Sequence, residues 1–179
     1  MRRPGKKALA PEQAANSSAA QTAAVALLAR RDFSISALTR KLIEKGFTRE
    51  AVDAAVARLA AANALNDQRY GNNVVAYRAR RGQGPARIRN ELRKAGVAPE
   101  LVEEAIKPEE DPPDFVKLAR QARERKFGAE IPKDWKQRSK QARFLQYRGF
   151  STDHIRAVLE GVPDDEGSDT ESSGEPDPI

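Results

Sequence analysis

The side chains best equipped for chemistry in this sequence are cations. Arg78, Arg80, Arg81, Arg87, Arg89, Arg93 and Lys94 fall in one short stretch. Guanidinium forks match the paired oxygens of carboxylates and phosphates, so such a cluster suits a protein surface or a nucleic-acid backbone equally well. The bland reading is a solvated helix face. A second group, Lys140, Arg143, Phe144 and Tyr147, interleaves bases with aromatics on the side of its helix opposite Ala142 and Leu145. That pattern suits base stacking or a protein contact, although Phe144 fits packing against a neighbouring element better. Catalysis has little support. His154 is the single histidine and there is no cysteine, so thiol nucleophiles, disulfides and cysteine-based metal sites are excluded. No phosphate-binding glycine–lysine loop and no HExxH pattern occurs. Gly82-Gln83-Gly84-Pro85 could offer backbone N–H groups to a phosphate, but it reads more simply as a tight turn with Pro85 opening a helix. His154 reads as a residue of a helix start. No cofactor is indicated and the chain is not expected to be an enzyme.

These residues must be placed by helices. Ala, Leu, Arg, Lys and Glu dominate, alternating β-branched runs are missing, and no stretch is apolar enough for a membrane span. The net charge of +6 hides a division. Residues 162–179 hold seven acids and no base, residues 1–20 hold four bases and one acid, and the body between is strongly basic. A basic body attracts polyanions, nucleic acid first. Both ends lack periodic apolar residues, which predicts a disordered basic tail over 1–20 and a disordered acidic tail over 162–179. Absence of cysteine and of an export signal fits a cytoplasmic protein.

Three glycines mark a repeat. Gly46, Gly96 and Gly149 lie 50 and 53 residues apart. Four residues before each stands Leu42, Leu92 or Leu145, and one after stands Phe47, Val97 or Phe150. Glycine tolerates the left-handed backbone that closes a helix, and the next apolar residue folds back on the helix just left. Thr48, Pro99 and Ser151 then suit the start of the following helix. A third helix must cover each hairpin, and segments near 21–31, 67–80 and 113–127 fit. The outcome is an all-α chain of nine helices in three tandem units, 21–66, 67–111 and 112–161, with neighbours sharing contacts. Within the second unit, Arg89 and Arg93 share one flank of their helix, and Arg87 and Lys94 the other. Arg87 has Glu91 at i+4 for a partner. Tyr70 and Tyr77 fall on a core stripe, and Trp135 reads as a local anchor in a linker.

The stretches Leu65-Asn66-Asp67-x-Arg69-Tyr70 and Arg78-x-x-Arg81-Gly82-x-Gly84-Pro85-x-x-Ile88-Arg89-x-Glu91-Leu92, followed by Gly96-Val97, resemble the central signature of the bacterial RecX family. Arg40-Lys41-Leu42 with Lys45-Gly46-Phe47 resembles its first repeat. Arg125-Lys126-Phe127-Gly128 with Arg143-Phe144-Leu145-x-Tyr147-Arg148-Gly149-Phe150 resembles its third. The resemblance covers about 22–161 and leaves both tails out. It implies a curved array of three three-helix repeats. It also implies a monomeric regulator that binds the RecA filament, modulates and mostly inhibits recombinase and coprotease activity, and in many members binds single- or double-stranded DNA. The family supplies no catalytic residues. The binding candidates are therefore Arg78, Arg81, Arg89, Arg93, Lys94, Lys140, Arg143 and Tyr147. Charge reversal at Arg89 and Arg93 is expected to weaken docking without unfolding the chain. The rival expectation is a nucleic-acid-binding repeat protein that acts without RecA.

Overall fold

The computed structural model describes residues 9–160; the expectations for 1–8 and for the acidic tail 162–179 lie outside the described residues. Ten helices and no strand occur among the described residues: α1 (Pro11–Ala14), α2 (Ser17–Leu28), α3 (Ile35–Ile43), α4 (Arg49–Ala61), α5 (Asp67–Arg80), α6 (Pro85–Lys94), α7 (Pro99–Ile106), α8 (Phe115–Phe127), α9 (Trp135–Tyr147) and α10 (Thr152–Leu159). The last nine form three tandem triplets. In each triplet the first, second and third helices all touch one another.

The start of each helix is set by one residue. Asn16, Asn66 and Asp114 cap the first helices of the three repeats, each accepting a backbone N–H from the first turn. Ser34 and Asp134 do the same for α3 and α9, and Thr48 and Ser151 for α4 and α10. Pro85 and Pro99 open α6 and α7, where a missing N–H costs nothing. The second helix of each repeat ends on the predicted glycine. Gly46, Gly96 and Gly149 have φ of +100°, +78° and +89°. Beyond each, the N–H of Phe47, Val97 or Phe150 reaches back to the carbonyl of Leu42, Leu92 or Leu145 at 3.3, 3.1 and 3.1 Å. All three apolar residues are buried, so the local turn and the core reinforce each other.

Burial divides the array unevenly. One apolar cluster runs through repeats 2 and 3, joining Val75, Ile88, Leu92 and Val102 to Phe115, Leu145, Phe150 and Val158. A second cluster is confined to repeat 1 and its exit, from Ala20 and Ala24 to Leu65. Small residues on α2 and α4, namely Ala20, Ala24, Ala51 and Ala55, are buried in this second cluster and let the two helices approach closely. Sharing of apolar contacts between neighbours thus holds for repeats 2 and 3. Repeat 1 meets repeat 2 through polar links: Ser34 Oγ donates to the Ala95 carbonyl, Ile35 N–H to Asp67 Oδ1 and Asn73 Nδ2 to Asp32 Oδ2.

Three expectations need correction. Residues 11–14 and 17–20, placed in a disordered tail, are helical. Their alanines lack a periodic stripe, but Asn16 caps α2, and Leu9 packs on the repeat 1 core. Trp135 does not anchor anything: it opens α9 and is 79% exposed. Tyr77, assigned to the core stripe, is 48% exposed, with Arg78 and Arg81 beside its ring. The loop after α8 is held instead by Arg123, which is buried and donates to the carbonyls of Glu130 and Ala129 at 2.8 and 2.7 Å and to Gln141 Oε1.

Candidate functional site

The cations of repeat 2 separate onto two sides of α6. On one side Arg89 grips Glu103 of α7 with two bonds, Nε to Oε1 at 2.6 Å and Nη2 to Oε2 at 2.8 Å. This paired hydrogen bond holds the Glu103 carboxyl below its ordinary range and raises the Arg89 guanidinium. Arg93, one turn on, is exposed and adds to the field on Glu103. Arg89 is therefore already committed within the fold, and its reversal would disturb α7 as well as any docking surface.

The other side of α6 holds a cleft of about 460 Å³ lined by Arg87, Asn90, Glu91, Lys94, Tyr147 and Gly149. Two repeats join beside it. The Gly84 N–H donates to the Arg148 carbonyl at 2.8 Å and the Ala86 N–H to that of Gly149 at 3.0 Å. Arg148 returns Nη1 to the carbonyls of Arg81 and Gly82. Glu91 receives Nη2 of Arg78 at 2.6 Å, and that bond raises the Arg78 guanidinium. The predicted Arg87–Glu91 pair does not form. Arg78, arriving from the end of α5, takes the carboxylate, and Arg87 lies 5.7 Å from the Tyr147 ring centre. Tyr147 is 79% exposed.

Of the eight candidates, Arg78, Lys94 and Tyr147 gather around this cleft, while Arg89 and Arg93 face away toward α7. Arg81 is exposed beside Tyr77, donating Nη1 to its hydroxyl at 2.8 Å. Lys140 and Arg143 are exposed on α9, and Arg143 sits one turn before Tyr147. Phe144 packs edge-on against Phe127, with Lys126 4.4 Å and Arg148 4.8 Å from its ring centre, so it is structural as expected. Arg87 and Asn90 complete the cleft but were not among the candidates. Their placement depends on repeat 3 closing over α6, which spacing along α6 does not reveal. His154 sits in a capping box, its Nδ1 accepting the Ser151 N–H, packed near Phe115 and Phe150. Among the described residues no cluster has a metal-binding composition and no helix is long and apolar enough to cross a membrane.

The three repeats match three family models in order: the first three-helix domain of RecX over 20–59, the second over 66–106 and the third over 114–159. The chain belongs to the RecX family. It is 41% identical over 146 residues to Regulatory protein RecX of Ectopseudomonas mendocina, covering 82% of this chain and 96% of that one. It is 39% identical over 155 residues to the Halorhodospira halophila protein of the same name, covering 87% and 95%. The crystal structure of RecX from Lactobacillus salivarius shares the fold at a TM-score of 0.68 and 19% identity, covering 80% of this chain and 94% of that one. A second RecX crystal structure gives 0.67 at 20% identity, covering 80% and 71%. A RecX regulatory role follows from these relatives. The three-repeat, all-helical architecture expected from the glycine spacing is the RecX fold.

Proposed function

We propose that this chain binds the RecA filament on DNA and restrains RecA's recombinase and coprotease activity. The observation that carries the reading is the match, in order, to all three RecX domains. The surface chemistry supports it. Arg81, Arg87, Lys94, Lys140, Arg143 and Tyr147 are exposed on repeats 2 and 3, on or at the end of α5, α6 and α9, which share one apolar core. Such a surface can accept filament carboxylates or DNA phosphates without first ordering its own backbone. Binding and positioning, with no covalent step, suffice for this role.

The test is RecA ATP hydrolysis on single-stranded DNA, with this protein added substoichiometrically after filaments form. Progressive loss of hydrolysis at amounts too small to coat the DNA is the expected result. Arg87→Ala with Tyr147→Ala should weaken it. An effect that begins only when the DNA is saturated, with tight salt-dependent DNA binding in RecA's absence, would replace this reading with a plain nucleic-acid-binding protein.

A further inference from the structure

Arginines elsewhere in the array find carboxylates: Arg49, Arg78, Arg89 and Arg156 each pair with an acid. Helix α9 is different. It carries Lys136, Arg138, Lys140 and Arg143 and no acid. None of these four takes part in an ion pair among the described residues. Lys136, Lys140 and Arg143, followed by Tyr147, recur every three or four residues and are all exposed. That spacing makes them one stripe, opposite the buried Gln141 and Leu145. Like charges so spaced repel one another, so the bare stripe favours any anion that lies along it.

An open apolar groove of about 280 Å³ lies next to the stripe, between α9 and α10, lined by Trp135, Ser139, Ala142, Ile155 and Leu159. Trp135 stands at its edge, 79% exposed. The last described helix ends at this groove. Arg138 Nη2 donates to the Leu159 carbonyl at 2.6 Å, which pins the end of α10 to the beginning of α9. The sequence that follows carries both chemistries in the matching order. Val162 and Pro163 come first, then Asp164, Asp165, Glu166, Asp169 and Glu171. The stripe from Lys136 to Tyr147 is about 16 Å of helix. Extended backbone covers about 3.3 Å per residue, so residues 164–171 are long enough to follow it.

We propose that residues 162–171 dock on α9 of their own chain, with Val162 and Pro163 in the Trp135 groove and the acids along Lys136, Lys140 and Arg143. A segment tethered this closely acts at an effective concentration in the millimolar range, so weak exposed contacts are enough to populate the docked form. Lys140, Arg143 and Tyr147 belong to the surface assigned above to the filament. The docked segment therefore holds that surface back from isolated anions, and a dense anionic array displaces it. This regulatory step rests on the filament-binding reading; the docking itself does not.

The absence of cysteine lets a single nitroxide be attached to a full-length Ser168→Cys chain. NMR without RecA or DNA should show broadening centred on the amides of Lys136, Lys140 and Arg143 and on the Trp135 indole. It should vanish in about 0.5 M salt, where charges are screened beyond a few ångströms. It should also vanish when Asp164→Asn, Asp165→Asn, Glu166→Gln, Asp169→Asn and Glu171→Gln are combined. Val162→Ser, which leaves the charges in place, should weaken it, and no change would remove the groove from the model. Broadening spread evenly over the body, or centred on the Arg87–Lys94 cleft, overturns the proposal. So does broadening of isotope-labelled chains by separate spin-labelled ones, which would place the contact between copies. In RecA ATP hydrolysis on single-stranded DNA, the neutralised chain should inhibit at a severalfold lower concentration than the natural one. Equal potency overturns the regulatory step. Inhibition by neither chain overturns the filament-binding reading and the regulatory step together, while the docking is still decided by the NMR measurement.

Discussion

Replacing Arg89 with Glu would set two carboxylates against each other where α6 meets α7. The lost pair and the new repulsion should cost about 1 kcal/mol, a modest figure because Glu103 is half exposed. Adding Glu103→Arg should recover most of the loss, which chemical denaturation of the single and double variants would show. Filament-binding data on Arg89 variants need that control. His154 allows a pH prediction. Burial lowers its pKa below the ordinary histidine value, against the raising fields of Asp153 and Asp114. Folding therefore favours the neutral ring, whose contribution is complete above the unfolded pKa and fades as pH falls through the folded one. Between pH 7 and 5 stability should decline, and His154→Gln, which keeps the capping acceptor without titrating, should flatten the decline. An equal slope in both proteins would remove His154 from the acid response. At this scale legibility followed chain distance. The capping place of His154 is readable because Ser151 lies three residues away. The partners of Arg78, Arg87 and Arg89 are not, because each is chosen by another helix.

Glycine turns were the most legible elements, since a left-handed residue after a helix leaves few choices other than glycine. Gly84 has a different reason for being glycine. Its φ of −85° suits any residue, but a Cβ there would overlap the Gly149 carbonyl of the next repeat. Gly84→Ala should therefore cost about 1–3 kcal/mol through overpacking. Its NMR shift changes should centre on 82–86 and 148–151. Shifts confined to α6 would mean that the two turns yield without strain. The sequence reading assigned Gly84 to a tight turn, which is correct for Gly82, with φ of +69°, and incomplete for Gly84. Element α1 was illegible for a related reason: Ala and Gln carry no periodicity there, and its place depends on Leu9 and Ala14 meeting the Gly46 turn.

Across the whole molecule, the two apolar clusters predict two cooperative units. Repeats 2 and 3 share one core, so opening either exposes the apolar surface of both. Repeat 1 has a separate core and meets repeat 2 largely through Ser34, Ile35 and Asn73 hydrogen bonds. Each such bond contributes only about 0.5–1.5 kcal/mol net. Native-state hydrogen exchange should therefore place the slowest amides of α2–α4 at a lower opening free energy than those of α5–α10. Ser34→Ala should widen the gap, since it removes both the α3 cap and the bond from repeat 1 to the Ala95 carbonyl. A single free energy shared by the slowest amides of all three repeats would show that the polar junction couples as strongly as a common core. The array would then unfold as one body, and its three similar repeats would not be three similar junctions.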